Sequence, residues 1–238
     1  MGYLNINGLL DGNHADYFNA DKNLNSLDII VLAETKLGEK CTSKTLESCL
    51  DNWKIIGRYD AVDQRKHMGL LLLSSKLSTT IDQIKSITYQ SAKREGHLQI
   101  EGLIVRMTNG LDFGFICCRS TPNDPEIKAI NKHFYECNVL MEDFNLSHRI
   151  PQDQERVKSL CQKTKVNTLK EITRSISINQ LDYILMDEAL LAVSFVTSFN
   201  NFISDHKSIT ARIGLDENKL TTEIKQKVTF DCESQQYC

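Results

Sequence analysis

Short apolar runs recur along the chain, and most of them stop at a polar or acidic residue. Tyr3–Gly8 reads as a strand with Asn5 and Asn7 on one face, closed by Gly8. Asn13–Asn25 reads as a weakly amphipathic helix carried by Ala15, Phe18 and Leu24. Leu27–Ala33 is a continuous apolar run suited to a strand covered on both faces, and it ends at Glu34-Thr35-Lys36. Lys44–Leu50 is a short helix, Trp53–Gly57 a strand, and Arg58–Lys66 a polar loop. Gly69–Ser74 fits strand or helix by periodicity, with strand favoured by its length and turn-like flanks. Ile84–Tyr89, Leu98–Met107 and Phe113–Cys118 are strand-like, and Asn109-Gly110 is a hairpin signal between the last two. A helix follows, with Asp124 as expected N-cap and Pro125 at its first position, running to about Tyr135.

The run Val139-Leu140-Met141-Glu142-Asp143-Phe144-Asn145 is the centre of the pattern. A buried strand here stops at an acid, and alternation sets Asp143 and Asn145 on one face. In open α/β sheets, chemistry gathers at the carboxyl ends of strands, where loops converge. Asp153–Thr164 is a second helix, Leu181–Met186 and Ala192–Thr197 are strands, and Ser204-Asp205-His206 leads into a last strand at Ser208–Ile213. Strands outnumber helices, and helices separate only some of them. The pattern therefore predicts an α/β fold of two packed mixed sheets with helices outside, over residues 1–215. Residues 216–238 are polar and irregular and read as a tail or linker.

Composition narrows the chemistry only a little. At 238 residues the chain is long enough for one domain with a full core. No apolar run reaches the roughly 18–20 residues that span a bilayer, and the start shows no signal-peptide pattern. The eight cysteines form no Cys-x-x-Cys pair, which speaks against a zinc site. Adjacent Cys117 and Cys118 point to opposite faces of a strand and read as reduced thiols of an intracellular protein. A net charge of −3 disfavours nucleic-acid binding by bulk electrostatics. It leaves room for a metal-dependent enzyme, whose ligands are acids and whose positive charge arrives with the ion.

Five strand-end motifs carry candidate chemistry: Asn5-x-Asn7, Glu34-Thr35-Lys36, Asp143-Phe144-Asn145, Leu181-Asp182-Tyr183 and Ser204-Asp205-His206. Each alone is an ordinary turn or cap. Together they supply hard oxygen ligands, neutral amides and an imidazole beside an acid, the set that Mg²⁺-dependent phosphodiester hydrolysis needs.

In this order the motifs resemble the endonuclease–exonuclease–phosphatase superfamily, and within it the apurinic/apyrimidinic endonucleases and the related endonuclease domains of LINE-type retrotransposons and other mobile elements. The resemblance covers about Tyr3 to Ile213 and implies a four-layer α/β sandwich of the DNase I type. It implies Glu34 as principal ligand of Mg²⁺ (or Mn²⁺), with Asn7 and Asp205 near the ion. Asp143 matches the aspartate that orients or deprotonates the attacking water, and Asn145 the amide that binds phosphate. His206 would contact the scissile phosphate and Asp182 would buttress it. Asn5, Arg119, Ser120 and Arg174 fall at positions expected to touch substrate.

Two departures from the family pattern stand out. Glu142 occupies the place of a glycine before the catalytic aspartate, which predicts backbone strain and repulsion with Asp143. Ser120 stands where the family has a tyrosine aimed at the phosphate; Arg119 replaces that contact or the contact is lost. Met68 also replaces a glycine that commonly precedes Gly69. The resemblance implies a nuclear DNA-nicking domain of a mobile element, partnered by further domains such as a reverse transcriptase or helicase and by no membrane. The alternatives are an apurinic repair endonuclease or exonuclease, a phosphatase of lipid or inositol phosphates, and a catalytically degenerate binding module.

Overall fold

The computed structural model describes residues 1–38, 41–60, 68–161, 165–169, 173–174, 179–200 and 203–214. Most of the expected Arg58–Lys66 loop, the far end of the second long helix and the 216–238 tail lie outside them. The chain runs β1 (Gly2–Asn5), α1 (His14–Ala20), β2 (Ile29–Ala33), α2 (Ser43–Cys49), β3 (Trp53–Tyr59), β4 (Leu70–Ser75), β5 (Ile84–Arg94), β6 (His97–Met107), β7 (Asp112–Cys118) and α3 (Asp124–Phe134). It continues with β8 (Val139–Asp143), α4 (Pro151–Cys161), β9 (Lys165–Asn167), β10 (Asp182–Asp187), β11 (Ser194–Phe199) and β12 (Ser208–Ile213). Short 3-10 turns cover Leu24–Ser26, Thr80–Gln83 and Glu188–Val193.

Two six-stranded sheets form, ordered β11-β12-β1-β2-β4-β3 and β5-β6-β7-β8-β10-β9. Each holds one parallel pair, β1–β2 in the first and β7–β8 in the second, with antiparallel strands on both sides of it. A helix spans each parallel crossover, α1 in one sheet and α3 in the other, as parallel connections require. The architecture is the four-layer sandwich of two mixed sheets flanked by helices.

Strand alternation sorts side chains into three cores. Tyr3, Val31, Leu72, Leu103, Phe115, Met141, Ile184 and Ile209 fill the space between the sheets. Leu4, Ile30 and Leu32 face the opposite way, onto Phe18 of α1 and Leu46 of α2. Ile116, Leu140, Phe144 and Leu185 meet Ile130 and Phe134 of α3 and Leu160 of α4. Cys117 enters the first core and Cys118 the third, on opposite faces of β7, and both are free thiols. No helix among the described residues is long and apolar enough to cross a membrane.

Several local expectations need correction. The Asn13–Asn25 helix is divided, because Asp21 leaves helical geometry and its Oδ1 accepts from the Asn23 and Leu24 amides at 2.8 and 3.2 Å. The β5 strand runs on past Tyr89 to Arg94 and returns through Glu95-Gly96, both left-handed at φ +51° and +81°. The N-cap of α3 is Asn123 rather than Asp124. Its side chain accepts from the Glu126 amide, and the Glu126 carboxylate accepts from the Asn123 amide, closing a capping box.

Candidate active site

The carboxyl ends of the two parallel pairs meet at one edge of the sandwich. β1 delivers Asn5, β2 delivers Glu34 and β8 delivers Asp143. The Asn5 amide joins them: Nδ2 donates to Glu34 Oε1 at 3.0 Å and to Asp143 Oδ2 at 2.9 Å. Asn5 and Asp143 are buried, while Glu34 is half-buried at the rim. Asp182, on the neighbouring strand, pairs in register with Asp143, so two acids sit side by side. His206 closes the group. Its Nδ1 lies 2.9 Å from Asp182 Oδ2 and 3.7 Å from Asp143 Oδ2.

The imidazole and its acid are tightly held. Thr173 is fully buried, and its Oγ1 accepts from the Leu181 and Asp182 amides at 3.1 and 3.0 Å, fixing the start of β10. The Thr173 carbonyl accepts from the Lys207 amide, and Arg174 forms a bridge to His206. Arg174 Nε donates to Asp205 Oδ2 at 2.6 Å, placing a cation and an acid on the other side of the histidine.

Crowding sets the protonation. Burial works against a charged His206, yet Asp182 above all, then Asp143, the Asp182 hydrogen bond and Asp205 lift its pKa to about 10. The surrounding acids thus favour the imidazolium form of the ring. Burial and then Asp182 push Asp143 up to about 7, against the pull of His206 and of the Asn5 hydrogen bond. Asp205 stays below the usual carboxylate range: burial pushes it up, but the hydrogen bond from Arg174 and the charges of His206 and Arg174 outweigh it.

Other expected site residues are placed less simply. β1 ends at Asn5, so Asn7 does not continue the strand face: it is left-handed, at φ +52°, and exposed. Its backbone amide donates to Asn5 Oδ1 at 3.1 Å, and its own Oδ1 accepts from Lys36 Nζ. Asn145 is likewise left-handed and outside β8. Its amide nitrogen donates to Asp143 Oδ1 at 3.1 Å, and its Nδ2 to the Cys118 carbonyl. Ser120 is exposed, and its hydroxyl accepts from Gln99 Nε2. The Arg119 amide donates to the Gln99 carbonyl at 2.9 Å.

Glu142 overturns an expectation. It sits in a regular strand with no positive φ, so the predicted backbone strain is absent. Its side chain points away from Asp143 into the helix-facing core, fully buried, with no hydrogen-bond partner for either oxygen among the described residues. Burial first, and then the charge of Asp143, raise its pKa well above the usual range. Met68 is absorbed into the core between the sheets.

The acids gathered at this edge suit a divalent ion, with Glu34 at the rim open to it. Asp143, Asp182 and His206 offer ligand atoms within 4.8 Å of one another, with Glu34 joined to them through Asn5. The carboxylate oxygens are hard donors that suit a hard dication, while a protonated His206 adds positive charge beside them and no ligand. Sequence reasoning missed Glu101, a buried acid on β6 whose Oε2 accepts from the Gly69 amide at 2.7 Å. An acid on the inward face of an otherwise apolar strand was its signal.

No protein-family model and no curated protein matches the sequence. Solved structures do match it by fold. An AP endonuclease from Leishmania major superposes with a TM-score of 0.70 at 12% identity, covering 90% of this chain and 87% of that one. The human Nocturnin catalytic domain gives 0.58 at 12% identity, covering 90% and 93%. The endonuclease domain of TRAS1, a telomere-specific non-LTR retrotransposon, gives 0.57 at 9% identity, covering 90% and 97%. The chain therefore has the fold of the endonuclease–exonuclease–phosphatase superfamily, the DNase I-like sandwich.

Proposed function

We propose that the chain is a metal-dependent phosphodiesterase that nicks DNA to a 3′-hydroxyl and a 5′-phosphate. The observation that carries this reading is the convergence of Asn5, Glu34, Asp143, Asp182 and His206 on one edge through direct hydrogen bonds. The fold is shared with AP endonuclease and retrotransposon endonuclease structures, which supports DNA as the substrate class.

Glu34, with Asn7 and Asp205, would hold Mg²⁺ or Mn²⁺. The ion would supply charge to offset the phosphate and the developing negative charge of the reaction. Asp143, backed by Asn5 and by the Asn145 amide, accepts the proton of the attacking water as the new oxygen–phosphorus bond forms. His206, held through Nδ1 by Asp182, presents its Nε2–H to a phosphate oxygen and stabilises the charge that develops there. The bond from phosphorus to the 3′-oxygen breaks, and that oxygen leaves with a proton from solvent. Arg174, Asn5, Arg119 and Ser120 would contact the rest of the phosphate backbone. Asn145 contributes by ordering the loop after Asp143 while its side chain stays on Cys118.

Mobile-element origin, nuclear action and attachment to a reverse transcriptase or helicase are the narrower form of this proposal. The test is nicking of supercoiled plasmid with Mg²⁺ and with chelator. Conversion to open circle that needs the ion supports the reading. An intact plasmid with inositol phosphate hydrolysed instead would overturn it, and preference for an abasic duplex would assign a repair role.

A further inference from the structure

The backbone of the loop that bears Glu34 is held from both sides by backbone hydrogen bonds. Its carbonyls at Glu34 and Thr35 accept from the Gly8 and Leu9 amides at 2.8 and 3.1 Å. Its amides at Thr35 and Lys36 donate to the Gly69 and Met68 carbonyls, each at 3.2 Å. Glu34 and Lys36 are both left-handed, at φ +50° and +54°, so the loop needs this clamp to keep its shape. Gly69 is itself at φ +117°, a conformation that side chains rarely adopt. Its amide is fixed by the other sheet: Glu101 of β6, fully buried, accepts from Gly69 through Oε2 at 2.7 Å and from the Tyr89 hydroxyl through Oε1 at 2.8 Å. The Tyr89 ring in turn stacks on Tyr59 with centroids 4.6 Å apart.

We infer that Glu101 is a positioning residue, which acts through Gly69 to hold Glu34 at the geometry the ion requires. This rests on the reading of Glu34 as a metal ligand. Asn5 ties Glu34 to Asp143 from one side, and Glu101 ties the loop's other support to the same sheet that carries Asp143. Together they bring both halves of the pocket into register. The role calls for an acceptor at that spot and not for a charge. Glutamine can keep both bonds, because its oxygen still accepts from Gly69 and the tyrosine hydroxyl can turn to accept from its amide.

The experiment compares the full chain carrying Glu101→Met, which keeps volume and removes both acceptors, with Glu101→Gln. Amide hydrogen exchange reads the loop without any ion, and a Mn²⁺ titration of the metal-free protein reads the ligand geometry. Glu101→Met should speed exchange at Thr35 and Lys36 by about tenfold relative to Ile30 and Val31, the factor expected for one buried hydrogen bond lost. It should raise the Mn²⁺ midpoint by a similar factor, and Glu101→Gln should restore both. Unchanged exchange at Thr35 and Lys36, equal acceleration throughout β2 and β4, or a glutamine variant as impaired as methionine would overturn the proposal. Should Glu101→Met not fold, Glu101→Asp shortens the reach to Gly69 and must show the same local pattern; wild-type exchange there counts against it equally. A wild-type chain that takes up no Mn²⁺ defeats the ligand reading of Glu34, while the exchange arm still decides whether Glu101 holds the loop.

Discussion

Replacing Glu142 with methionine should stabilise the protein, and by more at higher pH. Both Glu142 oxygens are buried without partners among the described residues, in a layer formed by Leu140, Phe144, Cys118 and Tyr183. A buried polar group left unpaired costs about 1–3 kcal/mol, and methionine matches the volume closely enough to avoid a new cavity. That gain is present even where the carboxyl is protonated. The pH dependence adds to it. The folded-state pKa of Glu142 is raised, so the native chain keeps a proton that the unfolded chain loses above about 4.5. Stability attached to this group is therefore full below that value and declines as pH rises toward the folded pKa. The advantage of the variant should therefore widen as pH rises from 5 to 7. For a chain of this size each kcal/mol moves the melting point by about 2–4 °C. Urea unfolding of both proteins at pH 5 and 7 measures the gap directly. A gap that stays constant, or a methionine variant less stable than wild type, would refute the argument by showing that the carboxylate has a partner. Nicking should stay within about twofold of wild type, since the shift of Asp143 comes chiefly from burial and Asp182.

Other perturbations address the pocket itself. Glu34→Gln should lower Mg²⁺-dependent nicking by at least about a hundredfold while circular dichroism stays native, because the amide keeps the shape and lacks the charge that binds a hard ion. Asp182→Asn should bring the His206 pKa down from about 10, as followed by NMR of the ring protons, and cut nicking by about a hundredfold or more through loss of orientation. The stabilisation that His206 draws from Asp182 is full below pH 6.5 and lost as pH rises through about 10, so this variant should also flatten the stability profile over that window. Thr173→Val should cost about 2 kcal/mol in urea unfolding by stranding the Leu181 and Asp182 amides, whereas Thr173→Ser keeps the acceptor and most of the stability.

The sequence made the strands legible because their apolar runs are long and cleanly ended, and the site followed from where those runs stop. Asp143 and His206 could be read this way, since each ends or precedes a buried strand. Asn7 and Asn145 could not. Alternation places them on a strand face, but both lie just past the strand end in left-handed turns, where the face rule no longer applies. Glu142 was legible as a departure but not in its consequence. Alternation sent it away from Asp143, and only the three-dimensional packing of α3 and α4 over that face shows that the far side is buried. The capping residue of α3 was missed by one position, because Asn123 and Asp124 are both good caps and only the return bond from Glu126 distinguishes them. Glu101 left a trace as an acid in an apolar strand, but its partner Gly69 leads into β4 of the other sheet, and only the packing of the two sheets brings them together.

The bond from Asn5 to Asp143 joins residues 138 apart, and the first strand pairs with a last strand beginning at Ser208. Local pieces of the fold can form early, but the pocket is bounded by contacts that close only across nearly the whole domain. During synthesis, β1 and β2 emerge long before β8 supplies Asp143, and longer still before His206 arrives. A partly made chain therefore presents Asn5 and Glu34 without their counterparts. Competence of the pocket is in this sense a report on completion: a domain cut short just before His206 has eleven of the twelve strands among the described residues and no assembled site.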